Sequence, residues 1–378
     1  MGAPTPRVID VHFHVGLLGD SWPQLGWLSP QLRGDFAYKV FLAYARIHED
    51  DACDRVLRQA TLRVLDSCGK VERVVCLALD KAHDAAGRPL DDCTHMWVSN
   101  DYVMELQREL PDRVLLGASV HPFRQDFEDE VKRCVERGAV LIKWLPSAQR
   151  IDLADERIPG RLKFLATARA GRPLPVLLHC GPEYAVPPSE ERLSTLDFLS
   201  WARREELANR LRGQRRKAVP EVEQRRRNLE TGLREGATVI FAHCGLPYFA
   251  RGWLGRLFEH SDYKVVADFL RRYPVRECGR GSCFADVSAC CTPFRRPMFR
   301  DIAALPADAV LFGSDFPTPV FELSADPAEN LEDLKAVLAG RPKRVIIPEG
   351  NLVDVNFREL FLSFPGHPMF TNFSRFLL

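Results

Sequence analysis

Apolar residues in this chain collect into short unbroken runs, and polar residues collect at their ends. Runs rich in Val, Ile and Leu fall at Val8–Val11, Val71–Leu77, Val114–Val120, Val140–Lys143, Val176–Leu178, Val239–Ala242, Cys283–Val287 and Val310–Gly313. Continuous rather than alternating runs of this length predict strands buried on both faces. Between them, apolar residues at three-to-four spacing predict helices over Cys53–Cys68, Ser99–Leu110, Asp126–Arg137 and Arg161–Ala170. Eight strands alternating with helices in 378 residues predict an α/β fold. A TIM (β/α)8 barrel fits that pattern better than a doubly wound open sheet. One domain, residues 1–378, is expected.

Two segments exceed a minimal barrel. Residues 16–51 form a long loop after strand one, rich in aromatics: Trp22, Trp27, Phe36, Tyr38 and Phe41. Loops after barrel strands surround the active face, so this one reads as a lid or substrate wall, or as a loop folded over the barrel end without touching substrate. Residues 183–236 form a charged helical insertion after strand five, containing "RREELANRLRGQRRK" and "EVEQRRRNLE". Glutamates interleave with the arginines, which is the pattern of a solvated helix face rather than of a nucleic-acid surface.

Composition narrows the class without choosing a function. The chain is 46% hydrophobic and 27% charged, with a net charge of +1. That balance suits a soluble globular protein and gives no reason to expect nucleic acid or a membrane surface as partner. No apolar run reaches the length of a membrane span. Eleven cysteines, with no CxxC pair, read as free thiols in a reducing compartment. With no secretory leader in "MGAPTPRVID", a cytoplasmic location is expected. The apolar tail "RELFLSFPGHPMFTNFSRFLL" is expected to pack back on the body or on a second copy, which makes a homodimer a candidate state.

The strand tips carry the chemistry. Strand one ends in "VIDVHFHVG", and side chains at i and i+2 of a strand share a face, so His12 and His14 aim together. The later tips hold His121, Lys143, His179, His243 and Asp315. Taken singly, each has a plain structural reading: a hydrogen-bonded histidine, a lysine reaching solvent, an aspartate capping a turn. Five of the ten histidines, a lysine and an aspartate at one end of one sheet point instead to a metal site. Imidazole and carboxylate suit zinc, manganese, iron or nickel. Cys180 and Cys244 each follow a tip histidine in "HCG", and should face away from the site into the layer between strands and helices.

"IDVHFHVG", the tip residues His179 and His243, and "GSDFP" resemble the amidohydrolase superfamily of metal-dependent barrel enzymes. Within it the chain is most similar to the amidohydrolase-related branch, which holds aminocarboxymuconate-semialdehyde decarboxylase and resorcylate-type decarboxylases alongside hydrolases. The resemblance covers nearly the whole chain. It implies that His12, His14 and His179 bind a divalent metal, zinc first, with one or two ions. It implies that Asp315 is a ligand or takes a proton from the bound water. His243 would hold a second ion or polarise the substrate and shuttle a proton. Lys143 would be carbamylated and bridge two ions, or stay free and meet a substrate carboxylate. The expected activity is hydrolysis of an amide, lactone or ester of a small organic molecule, with non-oxidative decarboxylation of an aromatic or dienoic acid as the alternative. A barrel that has lost activity and serves as a binding subunit is disfavoured by the intact ligand set.

Overall fold

The computed structural model describes residues 7–35, 38–39, 41–42, 45–180, 183, 185–189, 220–247, 262–292, 295–318, 332 and 350–378. Its strands are β1 (Ile9–His14), β2 (Gly26–Leu28), β3 (Arg73–Leu77), β4 (Met96–Val98), β5 (Val114–Ala118), β6 (Ala139–Trp144), β7 (Val176–Leu178), β8 (Val239–Phe241), β9 (Cys283–Asp286) and β10 (Val310–Leu311). Eight of them pair in the order β1-β3-β5-β6-β7-β8-β9-β10, every pair parallel. The segment after β10 returns to β1. Val11 N–H donates to the Phe312 carbonyl at 3.0 Å, Asp315 N–H to the His12 carbonyl at 2.8 Å, and His14 N–H to the Phe316 carbonyl at 2.8 Å. These bonds close the sheet into a barrel, as the alternating pattern predicts.

The barrel has two apolar layers. Ile9, Val11, Val75, Leu77, Leu141, Leu177, Ile240, Phe284 and Leu311 fill the interior. Phe13, Val74, Cys76, Leu116, Ile142, Val176 and Val239 pack outward against the helices. Both faces of most strands are therefore dry, which is why the strands read as unbroken apolar runs. The tail packs back on the body: Phe373 and Leu377, from the helix Met369–Phe376 and just after it, join the interior cluster. That helix meets the ends where the strands begin, because Ser374 Oγ accepts from Arg7 N–H just before β1. The opposite end is left for chemistry.

Helices Asp54–Ser67, Asn100–Glu109 and Phe127–Glu136 lie within a residue of their expected bounds. The helix expected over Arg161–Ala170 instead spans Ile158–Leu165. Pro159 suits a first helical turn, where its missing N–H costs nothing, so the helix begins ahead of the amphipathic stretch.

In the loop after β1, the Asp54 carboxylate accepts from the N–H groups of Gly19, Ser21 and Trp22 at 2.9–3.1 Å, which anchors the turn. β2 pairs antiparallel with β4, a small sheet the sequence reading does not contain. Lys81 Nζ sits 4.4 Å from the ring centres of both Trp27 and Trp97 and 2.8 Å from Asp91. Tyr38 and Leu42 bury with Leu18, Leu28 and Leu57 in a separate cluster. Phe36 lies outside the described residues. Most of segment 183–236 does too. Its last part forms the helix Pro220–Arg234, whose Arg225, Arg226 and Arg227 face Asp152, Asp268 and Glu223.

Candidate metal centre

The site begins with a defect in β1. Ile9 and Val11 face the barrel interior, whereas Phe13 and Val15 face the helices. Strict alternation would put 9, 11 and 13 on one side. The register against β3 slips by one residue between Asp10 and Phe13, a β-bulge that switches the parity of everything after it. His12 and His14 are thereby turned inward at the mouth, with their Nε2 atoms 3.1 Å apart. Phe13, on the other face, stacks on Phe316 across the seam at 4.5 Å.

His12 is oriented by a residue absent from the sequence reading. Its Nδ1 lies 3.0 Å from Asp286 Oδ2 at the tip of β9. A carboxylate there makes Nδ1 the protonated nitrogen, so Nε2 presents a lone pair. The other oxygen, Asp286 Oδ1, accepts the backbone N–H of His243 at 3.1 Å and of Ser288 at 3.0 Å. One carboxylate thus holds two of the tip histidines. Asp286 interrupts the apolar run "CFADV" and ends the strand formed there, which is the signal that could have found it.

Around His12 Nε2 converge His14 Nε2 at 3.1 Å, Lys143 Nζ at 3.1 Å and Asp315 Oδ1 at 3.3 Å. Asp315 Oδ1 is also 3.3 Å from His14 Nε2. Two ligands roughly 2.1 Å from a tetrahedral zinc ion stand about 3.4 Å apart, so this spacing is that of donors sharing one cation. His12, His243 and Asp315 also offer ligand atoms within 4.8 Å of one another.

His243 Nδ1 faces the Ser288 carbonyl at 3.1 Å, which leaves Nε2 as its lone pair, and its ring stacks 5.1 Å from that of His12. The His179 ring is 5.0 Å from that of His243. His179 Nε2 is buried without a hydrogen-bond partner, although Glu183 Oε2 is 3.4 Å away. A buried imidazole nitrogen without a partner, beside a set of N and O donors, is what a metal site looks like in its protein atoms alone. His12, His243 and Asp315 form a set that fits a divalent cation, with His14 beside His12 and His179 against the His243 ring.

Electrostatics agree. Burial pushes the His12 imidazole down, and Lys143 beside it pushes further. Burial and neighbouring His243 push His179 well down, and burial takes His243 to about 3. These rings stay neutral near pH 7, the form that ligates. Burial resists charge on Asp315, but His243, His12 and His14 hold its carboxyl well below the usual range. Asp286 is likewise held down against burial by His12. Burial lowers the Lys143 amine.

Backbone conformation helps aim these groups. His243, Cys244 and Asp315 adopt left-handed φ of 55°, 53° and 58°. Gly245 follows at 62°, where a Cβ would meet Val266 and Asp262 at 2.8–3.1 Å, so the "HCG" turn needs its glycine.

Other residues at and beside the strand tips stand apart. His121 is a satisfied structural histidine, with Nε2 donating to the Gln149 carbonyl at 2.8 Å and Nδ1 accepting from Phe123 N–H. Trp144 is fully buried in the outer layer and donates to the Val120 carbonyl. Cys180 and Cys244 lie in that layer too, and burial keeps both thiols protonated.

A closed parallel barrel with a buried histidine and aspartate cluster at its C-terminal mouth defines a class of α/β barrel metalloenzymes. The amidohydrolase family model matches residues 75–345, and the chain belongs to this family of metal-dependent enzymes. The match begins within β3, so His12 and His14 lie ahead of it. No curated protein matches the chain. Among solved structures, an amidohydrolase 2 from Bifidobacterium longum subsp. infantis is 13% identical, covers 98% of each chain and superposes with a TM-score of 0.48. A probable 2-pyrone-4,6-dicarboxylic acid hydrolase from Acinetobacter baumannii, with citric acid bound, is 14% identical over 94% of this chain and 99% of its own, TM-score 0.44. A dihydroxybenzoic acid decarboxylase from Polaromonas sp. JS666, with bound manganese and 2-nitroresorcinol, is 12% identical over 95% and 97%, TM-score 0.40. Hydrolases and decarboxylases both stand among these neighbours, and likenesses this distant do not choose between them.

Proposed function

We propose that this chain is a metal-dependent hydrolase that cleaves an amide, lactone or ester bond in a small organic substrate. The observation that carries the reading is the convergence of His14 Nε2 and Asp315 Oδ1 on the lone pair of His12 at 3.1–3.3 Å. A divalent cation held there, zinc first with manganese, iron or nickel as alternatives, supplies Lewis acidity that activates water and polarises an acyl carbonyl. Asp315, ionised and touching both histidines, accepts the proton of the attacking water. Asp315 then returns that proton to the leaving group, and His243, neutral and fixed through Ser288, would relay it through Nε2. The buried strand tips keep bulk water away from both transfers.

Lys143 supports a second reading. Its buried Nζ points into the same cluster. Carbamylated, Lys143 would add an anionic oxygen donor to the centre and favour hydrolysis; as a free amine it would meet a substrate carboxylate and favour decarboxylation. Metal counted per chain, together with intact mass under mild conditions, separates the two forms by the mass of one CO2.

The test uses protein loaded with Zn2+ or Mn2+ and a panel of lactones, esters, amides and aromatic or dienoic acids. Turnover of an acyl substrate is expected. The His12→Ala, His14→Ala double variant should lose metal while keeping its fold, and Asp315→Asn should lose far more turnover than metal. Stoichiometric metal in the double variant, or CO2 release with no hydrolysis across the panel, overturns the hydrolase reading.

A further inference from the structure

His179 and Glu183 share a feature that the proposed mechanism does not use. The two side chains are almost wholly buried, and His179 Nε2 and Glu183 Oε2 approach to 3.4 Å without hydrogen bonding. The oxygens of Glu183 have different surroundings. Oε1 accepts the backbone N–H groups of Ala185 and Val186, the latter at 3.0 Å, and so holds the turn after β7. Oε2 is left facing the imidazole. Lys143 and Asp315 are among the charges that act on this carboxyl, which places it beside the cluster rather than at the surface.

We propose that Glu183 is a carboxylate donor of the metal centre, acting together with His179. This rests on the metal-dependent reading above. Two donors bound to one zinc ion at roughly 2.1 Å stand about 3.4 Å apart, which matches the observed pair. A bound ion would also satisfy the buried Nε2 atom, which otherwise keeps no partner. The division of labour between the oxygens makes the claim separable from a structural role: Glu183→Gln keeps a carbonyl oxygen for the turn and removes the anionic donor.

The experiment titrates Zn2+ and Co2+ into the full chain and into Glu183→Gln, using a competing chelator and the visible spectrum of the cobalt form. The expected result is an affinity loss of at least about 10-fold, the low end of what losing even a partner behind a ligand costs. The cobalt bands should change, and the melting temperature of the metal-free protein should not. Equal affinity with an unchanged cobalt spectrum overturns the proposal while leaving the metal-dependent reading intact. If the unsubstituted chain binds neither ion, the metal-dependent reading fails and takes this one with it. Should Glu183→Gln not fold, the cobalt spectrum of Glu183→Asp decides in the same way: altered bands support the donor role and identical bands overturn it.

Discussion

At the scale of single residues, Asp286 is the most informative side chain in the site. It is not among the proposed ligands, yet it fixes the tautomer of His12 and receives the backbone of His243. Asp286→Asn preserves shape and removes the charge that keeps His12 Nδ1 protonated. We expect metal affinity to fall about 10- to 100-fold, measured by chelator competition, with the barrel still folded. Gly313 gives a second test. A Cβ there would stand 2.9 Å from His12 Cβ and 3.0 Å from Ser288 Cβ, closer than side chains tolerate. Gly313→Ala should therefore displace both and weaken metal binding, although it adds only a methyl group and no charge. The histidines were legible in the sequence because imidazoles ending apolar runs are conspicuous. Asp286 ends β9, but the run Cys283–Val287 carries past it, so the sequence pattern places it inside a strand rather than at a tip. Glu183 had no signal of its own, because its role depends on which way a loop folds back.

At the scale of elements, the strands were readable and their interruptions were not. Parallel strands dry on both faces must be apolar at consecutive positions, so β7 begins and ends where its run does. The run Val310–Gly313 overshoots β10, which ends at Leu311, because Phe312 already bonds to β1 across the seam. β2 and β4 are three residues each and are held by a cross-strand tryptophan pair, too short for periodicity to register. Helix packing offers a prediction independent of the site. Gly232, in the helix Pro220–Arg234, lets Leu162 approach so closely that an added Cβ would lie 2.5–2.6 Å from its side chain. Gly232→Ala should destabilise the fold by about 1–3 kcal/mol through overpacking. Denaturant melts should record the loss, and metal content should stay unchanged.

At the scale of the whole molecule, the proposed ligands come from β1, β7, β8 and the segment after β10, so the site spans both sides of the barrel seam. A cation bound there holds the first and last barrel strands together. Stripping it with a chelator should lower the melting temperature, since metal present at 100 times its dissociation constant contributes about 2.7 kcal/mol to the folded state. A melt insensitive to chelator and to added Zn2+ or Mn2+ would argue against the centre. The far end depends on packing alone: Phe373→Ala in the tail helix should cost about 3–5 kcal/mol and leave metal affinity untouched. Among the described residues no helix is long and apolar enough to cross a membrane.

The bulge in β1 ties the facing of the two imidazoles to a single odd residue. Shortening the strand by a single residue at Val11 would delete no donor atom and leave every other strand where it is. Asp10 and Phe13 would keep their partners Val74 and Cys76, the strand would alternate strictly, and both imidazoles would still face the mouth with Phe13 toward the helices. Any effort to transplant this centre onto another barrel must carry the bulge and its odd residue together, or leave both behind.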